Sequence, residues 1–273
     1  MSNRSVVRVT LLAAVLVLGG AKAAHASPYY WTDWDTGSCC TGPFTATGSM
    51  TTGTATVLVT YTNLNGVSFL NDGVGAETDW WAQGGSGSLG RNAATSPYTS
   101  AQVDNIPTGT DMIALNRQGT QNLHFSQAIA NPVFAFVSLN SNGYSFRNQD
   151  FEILSLGGAF DGNDSGWWGC GQVSKVVLAP FSALNPTADT LYQLNQTSNP
   201  CGNEPHGTIR FLGSFSDLTW DSQSNENWNG FTVGIQGTSA EVFDGGTVPE
   251  PGTLVLLGSG IAIAALRLRR RRR

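Results

Sequence analysis

Polar and apolar residues alternate from 54 to 62: Ala55, Val57, Val59 and Tyr61 fall on one side, Thr54, Thr56, Thr60 and Thr62 on the other. A period of two predicts a strand with one buried face and a threonine-rich outer face. The stretch from Asn63 to Gly66 carries the turn chemistry that ends it. Val133 to Leu139 reads differently, as an unbroken β-favouring run entered through Asn131-Pro132. Such a run predicts a strand inside a sheet with both faces covered. Phe151 to Leu156 predicts another strand. From Thr208 to Trp220, Ile209 and Phe211 share a face, the chain turns near Gly213-Ser214, and Leu218 and Trp220 lie on the return, which predicts a hairpin. Phe231, Val233 and Ile235 then alternate with Thr232 and Gly234. Helix signals are thin, because Gly, Ser, Thr and Asn fill the positions where surface helices use Lys, Glu and Ala. The pattern predicts an all-β body over residues 27–247, built as one antiparallel, jelly-roll-like β-sandwich with no charged or proline-rich linker dividing it.

Composition sharpens this picture. The chain has 33 glycines and only 12% charged residues, a turn-rich and weakly charged polypeptide. Its formal charge of -5 conceals a segregation. Arg4, Arg8 and Lys22 precede the body, and Arg267 and Arg269 to Arg273 follow it. Between them stand Arg91, Arg117, Arg147, Lys175 and Arg210 against all 19 acidic residues, so the central stretch from Asp33 to Glu250 carries 5 minus 19, or -14. A body of that sign is not expected to bind nucleic acid or anionic lipid.

The two ends read as addresses. Residues 1–26 combine a basic start, an apolar run from Val9 to Leu18 and the small-residue ending Ala24-His25-Ala26, the pattern of a secretory signal peptide cleaved after Ala26. At the other end Thr253 to Leu266 is uncharged and would form roughly 21 Å of helix, short for a ~30 Å hydrocarbon core. The arginines that follow hold their side of such a helix in the cytoplasm, so an exported body faces outward. We therefore expect one C-terminal transmembrane helix. Just before it, the prolines of Val248-Pro249-Glu250-Pro251-Gly252 impose an extended conformation around a single glutamate.

The order Pro249-Glu250-Pro251, apolar helix, terminal arginine cluster closely resembles the PEP-CTERM sorting signal of Gram-negative, exopolysaccharide-producing bacteria, here residues 248–273. The resemblance implies that exosortase, an integral-membrane transpeptidase-like enzyme, removes or exchanges the tail, with Pro249, Glu250 and Pro251 as the substrate site. It implies a precursor held transiently in the inner membrane, then a protein on the cell surface or outside the cell. Three phrases of the body, Phe134 to Leu139, Phe151 to Ser155 and Glu226 to Gly234, resemble the β-rich extracellular domain of many such proteins. That domain has no agreed activity.

Four cysteines in an exported chain predict disulfides rather than a metal site. Cys170 and Cys201 sit beside glycines at either side of the Val173 to Gln196 region, and a bridge between them would contribute roughly 3 to 4 kcal/mol. Cys39 and Cys40 are then left together; in the alternative each pairs with a distant cysteine. The loop from Asp161 to Gly166 matches the first half of a calcium loop, with Asp161, Asn163 and Ser165 as oxygen ligands. Its twelfth position is Gln172 in place of the bidentate glutamate, which favours an Asx-rich turn over a calcium site. No other cofactor is expected. Trp80-Trp81 and Trp167-Trp168 offer aromatic faces for sugars, and we select Trp81 and Trp168 as the exposed members. Catalytic motifs are poor. Residues 27–247 hold only His124 and His206, in neither a zinc motif nor a triad pattern, and the proximity of Glu204 to His206 reads as a loop entering the Ile209 strand. The segment Gly85 to Gly90 fits G-x-G-x-x-G without the strand and helix that a nucleotide site requires. We expect a non-enzymatic surface or matrix protein, matured by signal peptidase and exosortase, that binds or organises exopolysaccharide. The alternative is a secreted polysaccharide hydrolase using two carboxylates.

Overall fold

The computed structural model describes residues 28–38, 40–82, 90–140, 142–157, 171–178, 189–197 and 204–243. The expectations for Ala24, Ala26, Asp161, Asn163, Ser165, Trp168, Cys170, Cys201, Pro249, Glu250 and Pro251, and for the 253–266 helix, lie outside these residues. Among the described residues no helix is long and apolar enough to cross a membrane.

Two antiparallel sheets make up the body. The first runs β10 (Phe151–Leu156), β13 (Gly207–Phe211), β8 (Val133–Val137), β15 (Asn229–Ile235), β6 (Met112–Leu115) and β5 (Phe69–Asn71), with β1 (Tyr30–Trp31) also pairing with β15. The second runs β11 (Gln172–Leu178), β12 (Leu191–Thr197), β9 (Gly143–Arg147), β14 (Ser214–Ser222), β7 (Gly119–Ala130), β4 (Thr56–Asn63), β3 (Phe44–Thr51) and β2 (Asp33–Gly37). β16 (Gly237–Thr238) pairs with β7 and leads into the short helix α1 (Ser239–Val242).

The alternation read along β4 holds: Val57, Val59 and Tyr61 are buried, and Leu58 and Thr62 face solvent. The Asn63 side chain closes the turn by accepting from Asn65 N at 2.7 Å and donating to Gly66 O at 2.8 Å. Gly66 sits at φ +81, where a Cβ would also meet the Cys40 carbonyl.

The inward rows of both sheets meet in one aromatic core. Phe134 of β8 stacks on Phe231 of β15 with centroids 5.0 Å apart, and Trp220 of β14 abuts both edge-on at 5.2 and 5.0 Å. A second apolar layer covers the opposite face of the first sheet. There Trp81, Tyr98, Val103 and Ile106, from the long connection between β5 and β6, pack on Met112, Ala114, Val133, Ala135 and Val137. Arg91 pins that connection, reaching both Asp79 carboxylate oxygens at 2.7 Å and the carbonyls of Pro107 and Gly109. This cover explains why all five residues of β8 and all seven of β15 are buried.

The hairpin expected from Thr208 to Trp220 is not formed. β13 pairs with β10 and β8 in the first sheet, whereas β14 pairs with β7 and β9 in the second. The chain crosses between sheets at Leu212-Gly213, so Ile209 and Phe211 face Leu218 and Trp220 across the core. The same inward pattern serves a hairpin or a sheet-to-sheet crossing, and only the neighbouring strands decide between them.

The edge of β11 bears on the cysteines. Gly171, next to Cys170, bridges Pro205, close after Cys201, while the Cys170–Cys201 pairing itself lies outside the described residues. Cys40 is itself disulfide-bonded, to a partner outside the described residues. If Cys170 and Cys201 form one bridge, Cys170→Ser and Cys201→Ser should each lower the melting temperature, with no further drop in the double variant. Additive losses on thermal unfolding would favour the alternative, in which each of these cysteines pairs with Cys39 or Cys40.

Candidate functional site

The loops 116–118, 138–140, 204–206 and 223–228 gather at one end of the two sheets, and the side chain of Asn142 ties several of them together. Its Oδ1 accepts from the backbone N–H groups of Gly143, Gln223 and Ser224 at 2.7, 3.0 and 3.0 Å. Its Nδ2 donates to Ser222 Oγ at 2.9 Å and to Glu226 Oε1 at 3.4 Å. Asn229 Nδ2 also donates to Glu226 Oε1, and Tyr144 Oη donates to Asn229 Oδ1. The other carboxylate oxygen of Glu226, Oε2, is buried without a hydrogen-bond partner among the described residues.

This environment raises the Glu226 carboxyl to about 7. Burial is the main cause, the hydrogen bonds from Asn229 and Asn142 oppose it, and the charge of Glu204 adds to it. Glu204 is therefore a near neighbour. Its Oε2 accepts from Ser138 Oγ, and Ser138 stands at φ +56, a left-handed conformation that few non-glycine residues adopt. Beside the two glutamates lies a half-buried aromatic group, with Trp228 between Phe69 and Trp80 at centroid distances of 5.1 Å each. A carboxyl titrating near neutrality beside a second carboxylate can hold and release a proton at this end of the molecule.

The raised value has a sign for stability. A proton held more tightly in the folded chain contributes stability that is fully present below the ordinary carboxyl value of 4.5 and is lost as pH rises through about 7. Asp111, raised to about 6 chiefly by burial, slopes the same way. Glu226→Gln should therefore flatten the stability profile between pH 5 and 8 and gain about 1–2 kcal/mol at pH 8, after discounting for partial exposure. Denaturant unfolding at both pH values measures this, and a variant as pH-sensitive as the parent would contradict it.

Over the same end, the outer face of the second sheet carries a polar groove. A depression of about 860 Å³ is lined by Asn65, Arg117, Gln193, Gln223 and Asn225, and an adjoining one of about 380 Å³ by Arg147, Gln149 and Thr219. Ser145 and Asp221 line both. The walls are braced from within. Asn65 Nδ2 donates to Gln118 O at 2.8 Å, Gln118 N to Asn225 Oδ1 at 2.8 Å, Gln223 Nε2 to Asn195 Oδ1 at 2.9 Å, and Thr120 Oγ1 to Asp221 Oδ1 at 2.6 Å.

Trp81 requires a correction as a sugar-stacking residue, because it is fully buried. Its Nε1 donates to Asp111 O at 3.2 Å and its ring meets Tyr98 edge-on at 5.1 Å. Its neighbour Trp80 is the half-exposed member of the pair, because the connection lays Trp81 down on the first sheet. Glu204 and His206 are not paired through their side chains: His206 is buried with Nδ1 2.9 Å from the Glu204 backbone carbonyl. Glu204 turns instead toward Ser138. Glu226, Asn142, Ser138 and Arg117 were not singled out as site residues from the sequence, where Glu226 opens one of the three phrases, Ser138 lies in another and Arg117 is one of the five body cations. Among the described residues no group of three or more His, Cys, Asp or Glu is placed to hold a metal ion.

Comparison with known proteins bears on the tail. No curated protein and no solved structure matches the chain. A family model of the PEP-CTERM protein-sorting motif matches residues 247–272, the segment in which Pro249-Glu250-Pro251, the apolar run and the arginines follow one another. The chain thus carries a C-terminal PEP-CTERM sorting motif, which marks it as an exported, membrane-anchored precursor that exosortase processes to an extracellular protein.

Proposed function

We propose that the mature protein is a non-enzymatic component of the cell surface or extracellular matrix that binds or organises exopolysaccharide. The observation that carries this reading is the braced polar groove on the outer sheet face of an exported protein, lined by amides, hydroxyls and guanidinium groups. Such groups offer fixed donors and acceptors to a hydroxyl-rich polymer at little ordering cost, since their own hydrogen bonds already hold the walls. The jelly-roll arrangement of strands, the signal peptide ending at Ala26 and a Gram-negative host belong to the same reading. Mature protein recovered from the surface of an exosortase-bearing host should co-sediment with that host's purified exopolysaccharide. Protein that stays entirely in the supernatant would contradict the proposal.

A second reading, a polysaccharide hydrolase, is favoured by one observation: Glu204 and the neutral-titrating Glu226 lie close together beside Trp228 and Trp80. Glu226 would be the acid and Glu204 the carboxylate partner. The same incubation distinguishes the two, because a hydrolase releases new reducing ends and loses them in Glu226→Gln, whereas a binding protein releases none.

A further inference from the structure

The groove singles out one cation. Of the five basic residues of the body, four are spent in ion pairs: Arg91 with Asp79, Arg147 with Asp189, Lys175 with Asp150, and Arg210 with Glu152. Arg117 has no ion-pair partner among the described residues, is exposed, and lines the larger depression. In a central stretch of charge -14, from Asp33 to Glu250, an unpaired guanidinium is the group that an anion approaching this surface would find.

The rest of the lining says what kind of anion. Gln193 of β12, Ser145 of β9 and Asp221 of β14 bring polar side chains from three adjacent strands, and Gly119 at the start of β7 extends the floor to a fourth, a span of roughly 14 Å at the usual strand spacing. The second depression continues the trough past Ser145 and Asp221 to Gln149 and Thr219. A small inorganic anion needs one or two donors and would leave this run of amides unused. A linked series of sugar rings uses it, with hydroxyls bonding to Gln193, Gln223 and Asn225 and accepted by Asp221, while one carboxylate substituent meets Arg117 side-on. The acidity of the remaining body works against general attraction of polyanions, so binding depends on placing a carboxylate at that one position.

We propose that this groove is the polysaccharide subsite and that it takes a uronate-bearing chain, with Arg117 reading the carboxylate. The inference rests on the exopolysaccharide-binding reading and gives it a place and a ligand class. The test is affinity electrophoresis of the mature protein in gels containing polygalacturonate or, separately, neutral dextran, with co-sedimentation on native exopolysaccharide in parallel. Polygalacturonate should retard the parent protein and dextran should not. Arg117→Gln should weaken the polygalacturonate interaction about tenfold or more, as loss of a charge-assisted bidentate contact does. Gln193→Ala, which leaves the cation in place, should weaken it less. Arg117 is exposed and in no ion pair among the described residues, so an unchanged melting temperature in Arg117→Gln separates lost binding from lost folding. If parent and Arg117→Gln bind polygalacturonate equally, the subsite is overturned while the general reading survives through the native polymer. Equal retardation by dextran overturns the carboxylate preference. A parent that binds neither probe nor the native polymer overturns both.

Discussion

Replacing Glu250 with Ala should leave the protein as an unprocessed precursor in the inner membrane of a host that has exosortase, while the parent loses its tail and reaches the surface. The expectation follows from the composition of the motif. Pro249 and Pro251 both favour an extended backbone, and Glu250 is the single charge they present ahead of the apolar run. Signal cleavage and membrane insertion depend on other residues, so the variant should still be exported and still stop at its arginines. Replacing Arg267 and Arg269 to Arg273 with Ser is a different lesion, loosening the stop and the orientation instead. Immunoblots of inner-membrane and surface fractions read both. A Glu250→Ala protein released like the parent would reduce the tail to a plain anchor.

The largest stability effect is expected at Trp220. Trp220 is 1% exposed and its ring lies within 6.3 Å, centroid to centroid, of Tyr61, Phe134, Tyr144, Phe146 and Phe231, so it joins the two sheets at their middle. Trp220→Ala should cost about 3–5 kcal/mol, the lost transfer energy of the indole plus the cavity left among rings that cannot close in. Leu58 is its internal control. It is equally apolar but 60% exposed on the outer face of β4, and Leu58→Ala should stay within about 0.5 kcal/mol of the parent. Equal losses at the two positions on chemical denaturation would contradict the assignment of inner and outer faces.

These faces were legible in the sequence wherever one side of a strand is buried and the other wet. Val57, Val59 and Tyr61 identified β4 by alternation alone, and the unbroken run of β8 announced that both of its faces are covered. What covers the outer face of β8 was not legible. The covering residues Trp81, Tyr98, Val103 and Ile106 are scattered along a connection with no period of its own, so Trp81 read as a loop aromatic free to meet a sugar. The crossing at Leu212-Gly213 was hidden for a related reason, because two strands on opposite sheets aim apolar rows into the same core just as two hairpin strands do. The site at the end of the sheets was hidden further still. Glu226 gains its character from Asn142, from Glu204 and from burial under loops that the chain order keeps far apart. Arg117 stands out only after the other four body cations are seen to be paired. The tail is the opposite case. A sorting motif is read by an enzyme as a linear order of residues, so the sequence carries all of it.

The account as a whole turns on both ends being removed or exchanged during delivery, and one measurement tests this most directly: the intact mass of the protein released from the surface of an exosortase-bearing host. The account predicts a chain that begins at Ser27 and lacks the segment that follows Pro249-Glu250-Pro251. Surface material that still begins at Met1, or still carries the apolar run and the terminal arginines, would contradict it.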